Sequence, residues 1–247
     1  MNISICMATY NGSRYLRQQL DSILAQMQVG DELIVLDDAS EDDTLAIVQA
    51  YGDPRIQAHR NKVNLGHVQS FSNAFGLANH PYLVMADQDD VWADGRLARI
   101  RDALALPSVW LLTGNSKFIN AAGRGIEPVH PDLDPADSRR HCINIMRIFT
   151  GKAFYFGCNM AFRKELVPLV LPIPTYVESH DLWIAMAGNL VRANLHLSDV
   201  LLYRRIHGGN VTVSNRSLVS KLRSRIVFFR SLLHLLLRRR RVNPVSF

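Results

Sequence analysis

Short, mostly apolar runs alternate with longer stretches of helical periodicity through the first hundred residues. Each run is four to six residues long and is followed within a few positions by Gly, Pro, Asn or Asp. Runs of this length, bounded by such residues, are typical of buried strands. They predict four strands, at residues 3–8, 33–36, 55–59 and 82–86.

Between these strands, apolar residues recur three and four positions apart. Leu16, Leu20, Ile23 and Met27 follow this spacing, which places them on one face of a helix. The same periodicity predicts helices over residues 14–28, 45–51, 66–78 and 96–104. Strands that alternate with helices favour a mostly parallel sheet flanked by helices on both faces, so the sequence predicts an α/β fold.

Polar clusters follow three of the predicted strands. Thr9, Tyr10 and Asn11 follow the first, Asp37 and Asp38 end the second, and residues 87–90 follow the fourth. In parallel α/β sheets, ligands bind beyond the carboxyl ends of the strands. We therefore expect the three clusters to form one site.

The sequence Asp-Gln-Asp-Asp at positions 87–90 directly follows the apolar strand at 82–86. Three carboxylates this close repel one another, and each makes the next harder to ionise. A divalent cation relieves this repulsion, because Mg²⁺ and Mn²⁺ prefer carboxylate oxygens and often share their coordination shell with phosphate. The cluster therefore predicts a metal that holds a phosphorylated ligand.

The second half of the chain is less regular. Residues 121–141 are rich in Gly, Pro, Asp and Arg and are typical of a long loop. Residues 179–190 are predicted to be a helix and residues 200–203 a strand. After residue 210 the chain is predicted to form a basic amphipathic helix.

Composition and charge narrow the class of protein. Of 247 residues, 48% are hydrophobic and 20% are charged, which is typical of a globular protein and not of a disordered one. The formal net charge is +6, but residues 214–247 hold nine Lys or Arg and no acidic residue, so the rest is mildly acidic. Three widely spaced cysteines, Cys6, Cys142 and Cys158, indicate reduced core residues in a cytosolic protein. The first residues lack the basic region of a signal peptide, and no apolar run is long enough for a membrane span.

Several motifs together identify a family. The chain has no GxGxxG fingerprint or P-loop after its first strand, which disfavours an NAD enzyme or an NTPase. It has instead Ala-Thr-Tyr-Asn at 8–11, Leu-Asp-Asp-Ala-Ser at 36–40, Asn-Leu-Gly at 64–66 and Asp-Gln-Asp-Asp-Val-Trp at 87–92. In this order, the set resembles family 2 glycosyltransferases, which have the GT-A nucleotide-sugar-binding fold. The last motif is most similar to a branch that contains bacterial rhamnosyltransferases.

The resemblance implies a domain division and a donor site. Residues 1–212 would form the GT-A domain, with 1–105 as its nucleotide-binding half and 106–212 as its acceptor-side half, followed by a helix in 213–247. In the donor site, Asp38 would accept a hydrogen bond from the ring N–H of uracil or thymine. The other nucleotide-binding residues would be Thr9, Tyr10, Asp37 and Asp87. Arg60 and Asn64 would either contact the nucleotide or have only a surface role, and both alternatives are open.

The resemblance also implies a cation and a set of residues around the diphosphate. Asp89 would bind Mg²⁺ or Mn²⁺, and Asp87 would bind the ribose or help to hold the metal. Asp90 would have a structural role, either as a partner that supports the metal-binding carboxylates or as the amino-terminal cap of the next helix. The sequence Tyr-Arg-Arg-Ile-His-Gly-Gly-Asn at 203–210 resembles a late element of the family. Within it, Arg204 would bind phosphate, and His207 would bind the metal or a phosphate oxygen.

An inverting glycosyltransferase needs a general base for the acceptor hydroxyl. The sequence Glu-Ser-His-Asp-Leu-Trp at 178–183 matches the His-Asp-x-Trp form of the rhamnosyltransferase-like branch. The resemblance implies that Asp181 is the base, with Glu178 as the second candidate. The alternative is that Asp181 only complements the amino terminus of a helix. Gly157, Cys158 and Asn159 resemble the loop on the acceptor side.

The basic tail interleaves Arg and Lys with Leu and Phe at helical spacing, which suits an interfacial helix on an anionic membrane. Docking onto the body of the protein, a dimer contact and nucleic-acid binding are alternatives, although the aliphatic content argues for lipid over nucleic acid. We therefore expect a cytoplasmic protein at the inner face of the cell membrane, with no nucleic-acid partner.

These expectations define a function and its rivals. The chain would transfer a sugar, with dTDP-rhamnose as the best single donor, to a glycan or lipid-linked acceptor in cell-surface polysaccharide synthesis such as that of O-antigen. Alternatives are a non-catalytic nucleotide-sugar-binding subunit and a nucleotidyltransferase, whose usual Gly-rich loop is missing here. Two residues depart from the family pattern, Ala39 where Gly is usual and His67 where Arg is common.

Overall fold

The computed structural model describes residues 1–208 and 218–240. The strands are β1 Ile3–Thr9, β2 Glu32–Asp37, β3 Ile56–Arg60, β4 Tyr82–Ala86, β5 Val91–Trp92, β6 Leu111–Asn120, β7 Gly125–Ile126, β8 Met160–Arg163 and β9 Asn194–Ile206. The helices are α1 Ser13–Leu24, α2 Thr44–Ala50, α3 His67–Leu77, α4 Arg96–Ala105, α5 His141–Thr150, α6 Val167–Val170, α7 His180–Leu190 and α8 Leu218–Arg239. The strand–helix alternation predicted for the first half is confirmed.

The strands form one mixed sheet in the order β3-β2-β1-β4-β8-β6-β9-β5, with β7 paired to β6. The first four are parallel, so Cys6 of β1 lies opposite Ile34 of β2 and Met85 of β4. Strand β8 is antiparallel to both β4 and β6, whereas β6 and β9 are parallel to each other. The carboxyl ends of β1, β2 and β4 therefore meet at one edge, where the polar clusters follow.

Helices cover both faces of the sheet because side chains alternate along each strand. In β1, Ile3, Ile5 and Met7 point to a core that includes residues of α1, α2 and α4. Cys6 points to the opposite core, formed with α3, α6 and α7. Two hydrophobic cores, one on each face, hold the sheet in place.

The second half contains strands that the apolar pattern did not reveal. Strand β6 is ten residues long and is buried over most of its length, yet Thr113, Asn115 and Ser116 interrupt its apolar run. The side chain of Asn115 accepts a hydrogen bond from the backbone N–H of Leu133 at 2.8 Å, which replaces solvent for this buried amide. Strand β9 begins six residues before the predicted strand at 200–203.

The prediction that all three cysteines are core residues is wrong for one of them. All three cysteines are free thiols, and Cys6 and Cys158 are buried, but Cys142 lies exposed in the first turn of α5. Cys142 is therefore not a core residue.

Helix α8 docks on the body of the protein through one of its faces. Leu235 is completely buried, and the ring nitrogen Nδ1 of His234 lies 2.9 Å from the hydroxyl of Tyr176. Arg238 donates hydrogen bonds from Nη1 to the carbonyl oxygens of Leu169 and Val170, each at 3.0 Å. The described helices include none with the length and continuous apolarity that a bilayer span requires. The domain division at residue 212 stays a prediction.

Candidate functional site

A pocket of about 480 Å³ opens beyond the carboxyl ends of β1, β2 and β4. The pocket brings together residues that the sequence analysis assigned to the donor, the metal and the base: Thr9, Tyr10, Asp38, Asp87, Asp89, Asp181 and Arg204. Asn64, His67, Asp90, Gly157 and Glu178 also line it. Segments from β1 to β9 therefore converge on one cavity.

Asp38 holds the loop that leads into α3. Its Oδ1 accepts hydrogen bonds from the backbone N–H of Leu65 at 2.9 Å and from Nδ2 of Asn61 at 2.8 Å. Its Oδ2 accepts one from the backbone N–H of Gly66 at 2.8 Å. A carboxylate offers about four acceptor positions, so these bonds leave one acceptor position at Oδ2 for a ligand.

Asp37 lies behind the pocket and is 1% exposed. Its carboxylate accepts hydrogen bonds from the backbone N–H of Ser40 at 3.1 Å and from the hydroxyl of Thr9 at 3.3 Å, and Arg60 lies 3.5 Å away. These contacts stabilise a turn in which Ala39 has φ of +63°. A Cβ makes this left-handed conformation unfavourable, and glycine avoids the cost because it has none, which explains why Gly is usual here. Asp37 and Arg60 therefore shape the turn, whereas Asp38 faces the cavity.

The side chain of Gln88 joins the loop after β4 to the loop after β1. Its Oε1 accepts a hydrogen bond from the backbone N–H of Tyr10 at 2.8 Å, and its Nε2 donates one to the carbonyl oxygen of Tyr10 at 3.1 Å. A Cβ at position 12 would lie 2.2 Å from Oε1 of Gln88, so a side chain there would displace the Gln88 amide from this position. This clamp leaves the Tyr10 side chain 44% exposed.

Two carboxylates of the acidic cluster have raised pKa values, and of these Asp90 is buried whereas Asp87 is half-buried at the pocket. Burial, and next the charge of Asp89, raises the pKa of Asp87 to about 7, although Arg204 opposes the shift. Burial and the same neighbour raise the pKa of Asp90 to about 8. Oδ1 of Asp90 accepts a hydrogen bond from the backbone N–H of Arg205 at 2.9 Å, and its Oδ2 has no hydrogen-bond partner among the described residues. Within this part of the chain, positive charge therefore compensates the cluster only in part.

Asp89 meets His207 at the edge of the cluster. Nε2 of His207 lies 2.8 Å from Oδ2 of Asp89, a contact in which only the imidazole N–H can donate. Oxygen atoms of Asp87 and Asp90 lie within 4.8 Å of Sγ of Cys158. Burial raises the pKa of the Cys158 thiol well above its ordinary value, which keeps it protonated. The carboxylate oxygens suit Mg²⁺ or Mn²⁺, which a neutral thiol does not.

Two arginines lie near the cluster. Arg204 lines the pocket, and its guanidinium lies 3.9 Å from the ring centroid of Phe156. Arg96 is completely buried and donates from Nη2 to the carbonyl oxygens of Met85 and Cys158, at 3.1 and 2.6 Å. Arg96 therefore ties the end of β4 to the segment before β8. Gly209 and Asn210, quoted in the late motif, lie outside the described residues.

Asp181 lies in the first turn of α7, and Ser179 caps that helix. Oδ1 of Asp181 accepts hydrogen bonds from the Ser179 hydroxyl and from the backbone N–H of Leu182, the latter at 2.9 Å. Both observations agree with stabilisation of the helix terminus, but the carboxylate also lines the pocket. Glu178 pairs with Arg223 of α8 at 2.9 Å, at the rim of the same pocket.

Gln88 and His180 line the pocket too, although the sequence analysis gave neither of them a role. Both belong to motifs quoted above. The only signal was the presence of an uncharged polar residue among or beside the aspartates. The partners of Gln88 are backbone atoms 78 residues away, so the side chain alone gave no indication of them.

The profile of Glycosyl transferase family 2 matches residues 4–168. An uncharacterized glycosyltransferase of Nostoc sp. is 27% identical over 239 residues, which cover 90% of this chain and 70% of that protein. The UDP-Glc:alpha-D-GlcNAc-diphosphoundecaprenol beta-1,3-glucosyltransferase WfaP of Escherichia coli is 24% identical, with 86% of this chain and 80% of WfaP covered. The dTDP-rhamnosyl transferase RfbG of Shigella flexneri is 29% identical over 129 residues, 48% of this chain and 43% of RfbG.

Among solved structures, Staphylococcus aureus TarS 1–349 in complex with UDP-GlcNAc has a similar fold. The TM-score is 0.70 at 19% sequence identity, with 96% of this chain and 72% of the TarS chain covered. This likeness confirms the expected GT-A fold. The profile match, which spans more than half of the chain, confirms the resemblance on which the site residues were predicted.

Proposed function

The chain belongs to glycosyl transferase family 2, and from this premise we propose that its pocket transfers a sugar from a nucleoside diphosphate donor to an acceptor hydroxyl with inversion. One observation carries the proposal. The acidic cluster after β4 and Asp181 of α7, about 90 positions apart in sequence, line the same cavity. A leaving diphosphate and an acceptor therefore fit in one pocket.

The donor nucleotide binds along the ends of β1 and β2. Asp38 has one acceptor position left on Oδ2, which suits the ring N–H of uracil or thymine. Thr9 and Tyr10 lie beside it in the same pocket. We propose dTDP-rhamnose as the donor, which the Asp-Gln-Asp-Asp-Val-Trp motif and the partial similarity to RfbG support. UDP-glucose appears in the full name of WfaP and is the main alternative donor. Its uracil presents the same hydrogen-bonding edge as the thymine of dTDP-rhamnose.

A divalent cation fits the residues at the cluster. Asp89, Asp87 and His207 would hold Mg²⁺ or Mn²⁺, and the imidazole nitrogen favours Mn²⁺ of the two. Asp90 holds β9 to the cluster through the backbone of Arg205. When bound, the cation neutralises negative charge on the departing diphosphate. Arg204 contributes a further positive charge inside the pocket.

Asp181 acts as the general base. Its carboxylate removes the proton of the acceptor hydroxyl while that oxygen bonds to the anomeric carbon and the bond to the diphosphate breaks. Hydrogen bonds from Ser179 and Leu182 to Oδ1 fix the orientation of the carboxylate, which leaves Oδ2 for the acceptor. Glu178 is less suited to this role, because Arg223 already neutralises its charge.

The exposed face and the charge of helix α8 support the proposal that the acceptor is lipid-linked and that the protein acts at a membrane surface. Its outward face carries Leu222, Ile226, Phe229 and Leu233, each between 58% and 65% exposed. Residues 218–240 include seven Lys or Arg and no acidic residue, so two copies of the helix would repel each other. An apolar stripe flanked by cations matches an anionic lipid surface. We place the enzyme at the cytoplasmic face of the membrane, in cell-surface polysaccharide synthesis.

A donor screen tests the catalytic proposal. Purified protein is incubated with dTDP-rhamnose, UDP-glucose and other nucleotide sugars, with Mn²⁺ or EDTA, and thermal stabilisation is measured. We expect stabilisation that requires the metal and is lost in Asp89→Ala, whereas Asp94→Ala, an exposed carboxylate nearby, retains it. Stabilisation that is equal with EDTA would contradict the metal assignment.

The base assignment needs a separate measurement of turnover. We expect Asp181→Asn to lower kcat by about 10²-fold or more while the donor Kd changes less than about two-fold. Glu178→Gln is the matched control and should retain most of the activity. If Glu178→Gln loses turnover and Asp181→Asn keeps it, Glu178 and not Asp181 is the general base. A wild-type protein that binds donor and turns over none of the glycan and lipid-linked acceptors offered would favour a non-catalytic binding subunit.

Vesicle sedimentation tests the membrane proposal. The protein should sediment with phosphatidylglycerol vesicles, bind phosphatidylcholine vesicles weakly, and lose binding in Leu233→Glu. Equal binding by this variant would exclude the outward face of α8 as the membrane contact. A dimer in solution that Leu233→Glu dissociates would assign the face to a second copy instead.

A further inference from the structure

His180 is a buried histidine in the pocket whose nitrogens have no hydrogen-bond partner among residues 1–208 and 218–240. The residue is 6% exposed and lines the cavity next to Asp181. Buried polar atoms are almost always hydrogen-bonded in folded proteins, because losing water without replacement is unfavourable. An imidazole of this kind at a cavity wall therefore indicates a partner that enters with the ligand.

The surroundings of His180 hold the ring in one place. It stacks on Phe71 with 4.4 Å between ring centroids and meets the ring of His67 at 5.5 Å. On another side, a Cβ at position 157 would lie 2.7 Å from Nε2, so the glycine at that position makes room for the imidazole. A fixed ring whose two buried nitrogens have no hydrogen-bond partner among the described residues is preorganised to bind a polar group.

The imidazole is neutral at physiological pH. Burial lowers the pKa of His180 to about 4, although Asp181 opposes the shift and His67 adds to it. A neutral imidazole has one N–H donor and one nitrogen acceptor, which matches a hydroxyl group that both donates and accepts. It does not match a phosphate, which offers only acceptors and would be better bound by a cation.

The location of His180 favours a contact with the sugar of the donor over a contact with its nucleotide. A Cβ at position 157 would also lie 2.9 Å from Cε of Met85, so the imidazole lies close to the side-chain end of Met85, two residues before the cluster that begins at Asp87. The next residue in sequence is Asp181. The anomeric carbon must lie between the diphosphate and the base, so the ring of the transferred sugar would lie against His180.

We propose that His180 is a specificity-determining residue that hydrogen-bonds a hydroxyl of the sugar in the nucleotide-sugar donor. The proposal rests on the proposed function, since it presupposes that the pocket holds such a donor. It adds a contact to the sugar itself, beyond those to the base and the diphosphate. His180 contributes no proton to the transfer.

The test compares binding of a nucleotide with and without its sugar. Calorimetry with Mn²⁺ gives Kd values for dTDP and dTDP-rhamnose, and for UDP and UDP-glucose, with wild type, His180→Phe and His180→Asn. Phe keeps the ring that stacks on Phe71 and removes both nitrogens, whereas Asn restores a neutral donor and acceptor. We expect His180→Phe to weaken the preferred nucleotide sugar about ten-fold and its nucleoside diphosphate less than two-fold. His180→Asn should recover part of the lost affinity.

His59→Phe is the matched control. Nε2 of His59 is also buried and without a hydrogen-bond partner among the described residues, but this histidine lies on β3 and outside the pocket wall. It should leave the ratio of the two Kd values unchanged. Equal weakening of nucleotide and nucleotide sugar by His180→Phe, or no weakening of either, would overturn the assignment. If wild type binds none of the four ligands, the proposed function itself fails.

Discussion

The carboxylate of Asp38 is expected to stabilise the fold as well as to bind the nucleotide, and Asp38→Asn measures this first role. The substitution keeps the shape of the side chain and replaces one oxygen by an NH2 group. If Oδ1 is retained toward Asn61 and Leu65, the new amide faces the backbone N–H of Gly66, 2.8 Å from the original Oδ2. Two donors then oppose each other at a buried position.

The cost follows from the number and kind of bonds changed. A hydrogen bond to a charged group contributes about 1.5–3 kcal/mol, and one such bond is lost outright. The two bonds to Oδ1 persist but lose the benefit of the charge. We expect the free energy of unfolding to fall by about 3 kcal/mol, which corresponds to roughly 6–12 °C in Tm for a domain of this size.

Urea unfolding at pH 7, followed by tryptophan fluorescence, measures this change. Asp43→Asn is the control, because Asp43 precedes α2 without a side-chain capping bond and is exposed. It should change the free energy of unfolding by less than about 0.5 kcal/mol. A similarly small change in Asp38→Asn would refute the inference that this carboxylate holds the loop before α3.

Three further predictions concern His180, Gly157 and helix α8. Because the folded protein keeps His180 neutral down to a pKa of about 4 and the unfolded chain protonates it near 6.5, stability should fall as pH decreases through this window. Wild type should lose about 3 kcal/mol more than His180→Phe between pH 7 and pH 4 in urea titrations, and parallel losses would contradict the shift. Gly157→Ala places a Cβ 2.9 Å from Cε of Met85, so we expect the free energy of unfolding to fall by about 1–3 kcal/mol and the donor KM to rise. Unchanged kinetics would show that the Met85 side chain moves aside without disturbing the pocket. Leu235→Ala should cost about 2–5 kcal/mol and Leu233→Ala, at 60% exposed, almost nothing, with equal effects in calorimetry arguing against docking of α8.

The sequence predicted the first half of the fold well because its physical signals are local there. Strands β1 to β4 are short apolar runs. The helices between them are the ones that the spacing of apolar residues predicted. Strand β6 escaped because Thr113, Asn115 and Ser116 are buried in it, and contacts with distant segments offset their polarity. A polar residue in a buried strand cannot be recognised from its neighbours in sequence alone.

The site was predictable in its composition but not in the roles of neighbouring residues. Asp37 and Asp38 are adjacent, yet one faces the turn and the other the cavity, since successive side chains at the end of a strand point in opposite directions. The basic tail likewise left several partners open. The structure shows one face of α8 docked on the body through Leu235, with a second apolar face exposed.

The hydrogen bond between Asp90 and the backbone of Arg205 joins residues 115 positions apart in sequence. The contact of Asp89 with His207 joins residues with a similar separation in sequence. During synthesis, the ribosome releases the acidic cluster long before the strand that completes it. A nascent chain that ends before residue 204 already contains Asp87, Asp89 and Asp90. It lacks the end of β9 and the imidazole of His207. Contacts between residues so far apart in sequence are slow to form. The unfinished protein should therefore be unable to capture donor, and activity should appear only once nearly the whole catalytic region has emerged.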